Sequence, residues 1–208
     1  IPLFRGLSDD VLAFLAGGAR VSTFESGDSI FYRGDLGTTC HIIMRGRVKI
    51  FVIGEDGREL AVRILGPGEI VGEMALFEEL PRSADVEAME STETLELHRD
   101  VLLAGLRRSP ILALSLLRAM SARLRHATEE AEQLASLTVV ERLMRRLQQL
   151  AGWAGVPVSD GVKIMLPLTQ QELAALVGTS RESVNRALVQ LRRREKVRMQ
   201  DGWLILLD

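Results

Sequence analysis

Between Leu168 and Leu191 the chain reads Leu-Thr-Gln-Gln-Glu-Leu-Ala-Ala-Leu-Val-Gly-Thr-Ser-Arg-Glu-Ser-Val-Asn-Arg-Ala-Leu-Val-Gln-Leu, a segment that leaves little choice of local fold. Thr169 stands three residues before Glu172, and Thr179 three before Glu182. That is the spacing of two successive capping boxes, so two helices are expected to open in a row. Between them Gly178 supplies the left-handed residue on which a helix closes. Leu173, Leu176 and Val177 give the first helix an inward face, as Val184, Leu188 and Leu191 do for the second. The pair is a helix-turn-helix. A strand candidate at 162–166 and a hairpin over 197–205, with Asp201-Gly202 at its tip, make it a winged one.

The outward side of the second helix carries Ser180, Arg181, Glu182, Asn185 and Arg186 near its N-terminal end, and Thr169 heads the first helix. In this motif such positions enter the major groove of double-stranded DNA, where an arginine donates two hydrogen bonds to guanine and a glutamate accepts one from cytosine. These six are the candidate DNA-contacting residues. Arg192, Arg193, Arg194 and Lys196 suit phosphates, which position a protein without reading sequence. The charge distribution agrees: residues 138–208 hold 11 Lys+Arg against 7 Asp+Glu, while the rest holds 15 against 21, so a net charge of −2 conceals a basic C-terminal third. An acidic partner for that third alone is expected.

Upstream the pattern changes. From Arg20 to Leu97 short apolar runs are broken by glycine about every 10 residues, the rhythm of antiparallel strands in a small β-barrel or roll. Residues 42–44, 48–52 and 60–64 are the clearest strands, and Ser8-Asp9-Asp10 opens a short helix before them. From Pro110 the period becomes helical, with Leu117, Leu124 and Ala131 seven apart and Met120, Ala127 and Leu134 offset from them. This heptad-like stripe suits pairing with a second copy, a homodimer. The alternative is that the stripe packs the helix on its own β-domain. A second helix is expected over 139–150, with a turn over 152–161.

Two domains fit comfortably in 208 residues. The single cysteine, Cys40, neither closes an intramolecular disulfide nor supplies the thiolates of a zinc ribbon or iron–sulfur cluster, which fits a reducing, cytoplasmic setting. Ile111 to Leu117, interrupted by Ser115 and closed by Arg118, is far too short for a membrane span, and residues 1–10 lack the pattern of a secretory signal. After Pro110 no nucleophile–base or metal-ligand cluster is visible, so neither an enzyme nor a metal site is expected.

The segment Gly72-Glu73-Met74-Ala75-Leu76-Phe77-Glu78-Glu79-Leu80-Pro81-Arg82-Ser83-Ala84 has the chemistry of a phosphate site. Backbone amides after Gly72 favour an anion, and Arg82 adds two directed donors. Glu73 repels a free phosphate but suits a ligand that also offers a hydroxyl, as a cyclic nucleotide does through its ribose.

Gly72-Glu73-x-Ala75-Leu76 with Pro81-Arg82-Ser83-Ala84 resembles the phosphate-binding cassette of cyclic-nucleotide-binding domains, and Gly27-Asp28-x-Ile30-Phe31-x-x-Gly34 resembles their first strands. Ser180-Arg181-Glu182-Ser183-Val184-Asn185-Arg186 resembles the recognition helix of the cyclic-AMP receptor branch of the bacterial CRP/FNR family. The resemblance runs through the whole chain in matching order. It implies an α+β architecture: an N-terminal cyclic-nucleotide-binding β-roll over 1–108, a long dimerisation helix and hinge over 109–137, and a C-terminal winged helix-turn-helix over 138–208. It also implies a homodimeric, cAMP-controlled transcription activator that binds inverted-repeat DNA with TGTGA-like half-sites and engages RNA polymerase.

Residue by residue, the family pattern assigns Glu73 to the ribose hydroxyl, Arg82 and Ser83 to the cyclic phosphate, and Gly72 to a close backbone approach. Two adjacent hydroxyl residues of the long helix meet the base in that branch. Ala127-Thr128 stands there, so Thr128 alone is carried over and weak coupling between ligand and DNA binding is expected. The oxygen-sensing iron–sulfur branch is set aside for want of cysteines. His41, His98 and His126 leave a haem-sensing branch formally open, and each is expected to be an ordinary core or surface histidine. A regulator of the same fold with a vestigial pocket, or one answering to another small effector, is the competing reading.

Overall fold

A computed structural model describes residues 2–55, 57, 59–166 and 168–207. These form two compact units, Ile1–Val52 with Val62–His126 and Ile53–Ala61 with Ala127–Asp208.

The first unit opens with a turn of 3-10 helix and α1 (Asp9–Gly17), for which Ser8 is the N-cap residue. Eight strands follow: β1 (Ala19–Phe24), β2 (Ser29–Phe31), β3 (Thr39–Arg45), β4 (Val48–Ile53), β5 (Glu59–Leu65), β6 (Ile70–Val71), β7 (Asp85–Ala88) and β8 (Thr92–His98). They make two four-stranded sheets ordered β1-β8-β3-β6 and β2-β7-β4-β5. The strands expected at 42–44, 48–52 and 60–64 lie within β3, β4 and β5.

Neighbouring residues of β3 serve different cores, because successive strand side chains point to opposite faces. Ile43 joins Val48, Leu65, Val71 and Val86. Ile42 joins Leu15, Ile70, Leu97, Leu102, Leu112 and Leu116, and so meets the helices. Those helices are α1, α3 (Arg99–Arg108) and the start of α4 (Pro110–Ser136). A shorter helix, α2 (Glu73–Glu78), interrupts the strands after β6.

The expected stripe of α4 divides. Met120 packs against the roll's own core. Leu117, Leu124 and Leu134 are 61%, 70% and 53% exposed.

In the second unit α5 (Val139–Ala154) opens on a full capping box between Thr138 and Glu141 and buries Leu143, Leu147 and Leu150. The turn expected over 152–161 is mostly regular structure. The helix runs through Gly152 to Ala154, and β9 (Gly155–Val158) leaves it directly to pair with β10 (Gly161–Ile164). Gly155 permits this, since a Cβ there would collide with the Ala151 carbonyl and the Val162 side chain. After α6 (Gln170–Val177) and α7 (Arg181–Arg193) the chain ends in β11 (Val197–Gln200) and β12 (Trp203–Leu207), completing a sheet ordered β11-β12-β10-β9. Asp201 (φ 51°) and Gly202 (φ 80°) make the hairpin turn, both with the positive φ that a twist-matched two-residue loop requires.

Candidate nucleotide and DNA sites

The helix-turn-helix is built as expected at its first helix and differently at its second. Thr169 Oγ1 accepts from the Glu172 amide at 3.1 Å, and the Glu172 carboxylate accepts from the Thr169 amide at 2.7 Å, closing the box on α6. Gly178 ends that helix in the left-handed region at φ 66°. The box expected from Thr179 and Glu182 does not form. The Thr179 amide instead donates to the Ala174 carbonyl and finishes α6, so α7 starts one residue later with Ser180 as its N-cap, accepting from the Ser183 amide at 3.3 Å. This shift makes Arg181 the first helical residue.

Val184, Ala187, Leu188 and Leu191 are buried, and Arg181, Glu182, Asn185 and Arg186 stand exposed on the opposite side. Arg186 donates to the Ser183 hydroxyl at 3.0 Å, which steadies it beside the helix start. Thr169 is exposed and Ser180 half-buried. All six candidates therefore lie on the helix pair. Four have exposed side chains, and two cap helices.

The cassette is arranged in the opposite manner. Gly72 takes the left-handed conformation (φ 83°) just before α2. A Cβ there would approach Arg82 Nη1 to 2.6 Å, so the glycine makes room for the guanidinium. Arg82 is 5% exposed. It donates Nη1 to the Gly72 carbonyl at 2.6 Å and Nη2 to the Thr39 carbonyl at 2.7 Å, and its Cζ lies 4.1 Å from the centre of the Phe31 ring. Burial pulls the guanidinium below its ordinary pKa. Its Nε is buried and without a hydrogen-bond partner. An orphaned charged donor of this kind fits an anion, and a cyclic phosphate supplies one.

Glu73 is also buried, at 2% exposed, and its Oε1 accepts from Arg123 Nη1 at 2.6 Å. A second Arg123 nitrogen donates to the Ile70 carbonyl, which fixes α4 against the cassette. Ser83 is exposed, with Met74 as its neighbour. The structure thus gathers Gly72, Glu73, Arg82 and Ser83 within one unit. Thr128 is exposed on the part of α4 that belongs to the second unit.

Sequence reasoning missed Arg123, Thr39 and Gly37. Arg123 is 50 residues from Glu73, and no local spacing signals their pairing. Gly37 lets Ala75 and Arg82 pack where a side chain would stand.

His41 is buried, bonded through Nδ1 to Thr94 Oγ1 at 3.1 Å and packed edge-on to Phe24, while His98 and His126 are exposed. Cys40 is buried and its thiol is pushed up to about 12 by desolvation, which leaves it chemically quiet. Among the described residues there is no group of His, Cys, Asp or Glu that could hold a metal ion, and no helix long and apolar enough to cross a membrane.

Two known domain families match the chain. Residues 21–109 match the cyclic nucleotide-binding domain, and residues 141–208 match the Crp-like helix-turn-helix domain. The chain is 36% identical over 201 residues to the cyclic AMP receptor protein of Thermus thermophilus, covering 97% of this chain and 90% of that one. It is 31% identical over 206 residues to the CRP-like cAMP-activated global transcriptional regulator of Mycobacterium tuberculosis, covering 99% and 92%. Among solved structures, the c-di-GMP-responsive global regulator CLP of Xanthomonas campestris superposes with a TM-score of 0.86 at 27% identity, covering 97% of this chain and all of that one.

Proposed function

The chain belongs to the CRP/FNR family of DNA-binding transcription regulators, and from that premise we propose that cyclic AMP is its effector and that it grips an inverted-repeat DNA site as a homodimer. The observation that carries the effector is the buried Arg82, whose Nε has no partner while Glu73 lies beside it in the same cassette. In this reading Arg82 and Ser83 hold the cyclic phosphate, Gly72 gives it a close approach and Glu73 accepts from the ribose hydroxyl. Relatives named as cAMP-activated support the choice of base.

At the DNA, Arg181, Glu182 and Arg186 read base edges, with Asn185, Ser180 and Thr169 beside them. Leu117, Leu124, Ala131 and Leu134 lie at or near the dimer seam, which places two recognition helices about one DNA turn apart. RNA polymerase is the partner such a regulator would engage at a promoter. Thr128 is the single hydroxyl of α4 assigned to the base.

One observation favours a second reading. Arg82 already spends both terminal nitrogens on carbonyls, and Glu73 is already held by Arg123, so the cassette is largely satisfied by the protein itself. A pocket of that kind tolerates an empty state, and DNA binding without ligand follows. Calorimetric titration with cAMP, paired with electrophoretic shift of an inverted-repeat duplex with and without cAMP, separates the two. Saturable heat and a ligand-dependent shift support the first reading. No heat and an unchanged shift overturn it in favour of the vestigial pocket.

A further inference from the structure

On the flank of α4 a cleft of about 380 Å³ opens within the first unit, and none of Gly72, Glu73, Arg82 or Ser83 lines it. Its lining includes a stripe of small residues on α4, Ser115, Ala119 and Ala122, and the Pro67-Gly68 turn with Ile70. Among the described residues, three guanidinium groups, Arg63, Arg118 and Arg123, share this lining with one carboxylate, Glu69.

Two of the three charges are already answered. Arg63 pairs with Glu69 at 3.2 Å, and Arg123 with Glu73 at 2.6 Å. Arg118 is exposed, and no acidic residue stands three or four positions from it along the helix. Arg125, on the same helix, has Glu129 four residues on. The cleft therefore combines a largely apolar lining, a volume within the range of small-molecule sites and one cation, Arg118, that pairs with no carboxylate among the described residues.

We propose that this cleft is a second ligand site, separate from the cassette, for an organic anion with an apolar body, and that Arg118 holds its anionic group. The small side chains at 115, 119 and 122 admit the body, and the two internally paired arginines keep the surrounding potential from turning negative.

The test uses the full chain and 8-anilinonaphthalene-1-sulfonate, followed by its fluorescence, against wild type, Arg118→Gln and Arg125→Gln. N-phenyl-1-naphthylamine, which lacks the sulfonate, is the neutral control. The sulfonate probe is expected to saturate at one site per chain and to bind about tenfold more weakly or worse in Arg118→Gln, the scale of losing a hydrogen bond to a charged group. Arg125→Gln should stay within about twofold on the same scale of exposed-charge effects, and the neutral probe should not distinguish wild type from Arg118→Gln. Equal binding of the sulfonate probe to wild type and Arg118→Gln overturns the proposal. So does an equal loss of both probes, which would mean that the substitution closed the cleft rather than removed a charge. Displacement of the sulfonate probe by saturating cAMP overturns it as well, by returning the probe to the cassette. Failure of the cAMP reading itself, seen as no heat on titration, leaves the Arg118 comparison standing.

Discussion

In the nucleotide-binding unit the cassette arginine, Arg82, is 5% exposed and donates to the Gly72 and Thr39 carbonyls, whereas in the DNA-binding unit Arg181 and Arg186 stand in solvent at the start of α7. The same side chain is a structural member in one place and an exposed group carried by a helix in the other. A buried guanidinium costs desolvation and is kept only where several acceptors face it, so its position depends on residues far away in the chain. An exposed one costs little and needs only a helix to carry it. Function and stability should consequently be inseparable at Arg82 and separable at Arg181.

The largest effect that tests this contrast is at Arg82. Arg82→Leu leaves two half-buried carbonyls without their donor, at up to about 1–3 kcal/mol each, and removes the counter-charge for a bound phosphate. Urea denaturation should show a loss of about 2–5 kcal/mol, and calorimetry at least a hundredfold loss of cAMP binding. A stable variant that has lost only cAMP binding would break the comparison.

Acid should also part the two units. Burial pulls His41 down to about 4 from an ordinary 6.5, so between those values the unfolded chain binds a proton that the native unit refuses. The stability this contributes is complete above about pH 6.5 and is lost as pH falls towards 4, about 3 kcal/mol in all. In the second unit the carboxyl held low is the exposed Glu141, kept down chiefly by the Thr138 hydroxyl. Its contribution is present above the ordinary carboxylate range and is lost only at lower pH than that of His41. Both tryptophans, Trp153 and Trp203, belong to the second unit. Below pH 6 the circular dichroism of the strands should therefore change before tryptophan emission does, and His41→Gln should delay that change.

At Arg181 the expected effect is narrower. Arg181→Ala should cost about 1–3 kcal/mol of discrimination at one base pair while leaving stability within about 0.5 kcal/mol. Competition shifts against a panel of singly changed duplexes read the first, and denaturation reads the second. An equal loss on every duplex would move Arg181 to the phosphates.

The smallest effect sharpens the local picture. Ser180→Ala should destabilise the second unit by about 1 kcal/mol through the lost cap, and Thr179→Ala by much less, because its amide rather than its hydroxyl closes α6. Tryptophan-monitored denaturation of the two variants checks the order.

The helix pair, its Gly178 turn and the Asp201-Gly202 hairpin were legible in the sequence because each is set by groups within about four residues of one another, where spacing and geometry are nearly the same thing. Even there the tertiary structure moved the second cap from Thr179 to Ser180, since one amide cannot both end α6 and begin α7. The cassette motif announced an anion site but not its construction. Whether Arg82 would be free or buried, that Glu73 would meet Arg123 across 50 residues, and that Met120 would turn to the roll while Leu117 and Leu124 faced outward, depended on which distant surfaces the fold brought together. Desolvation of a charge is a property of everything packed around it, and no window along the chain contains that information.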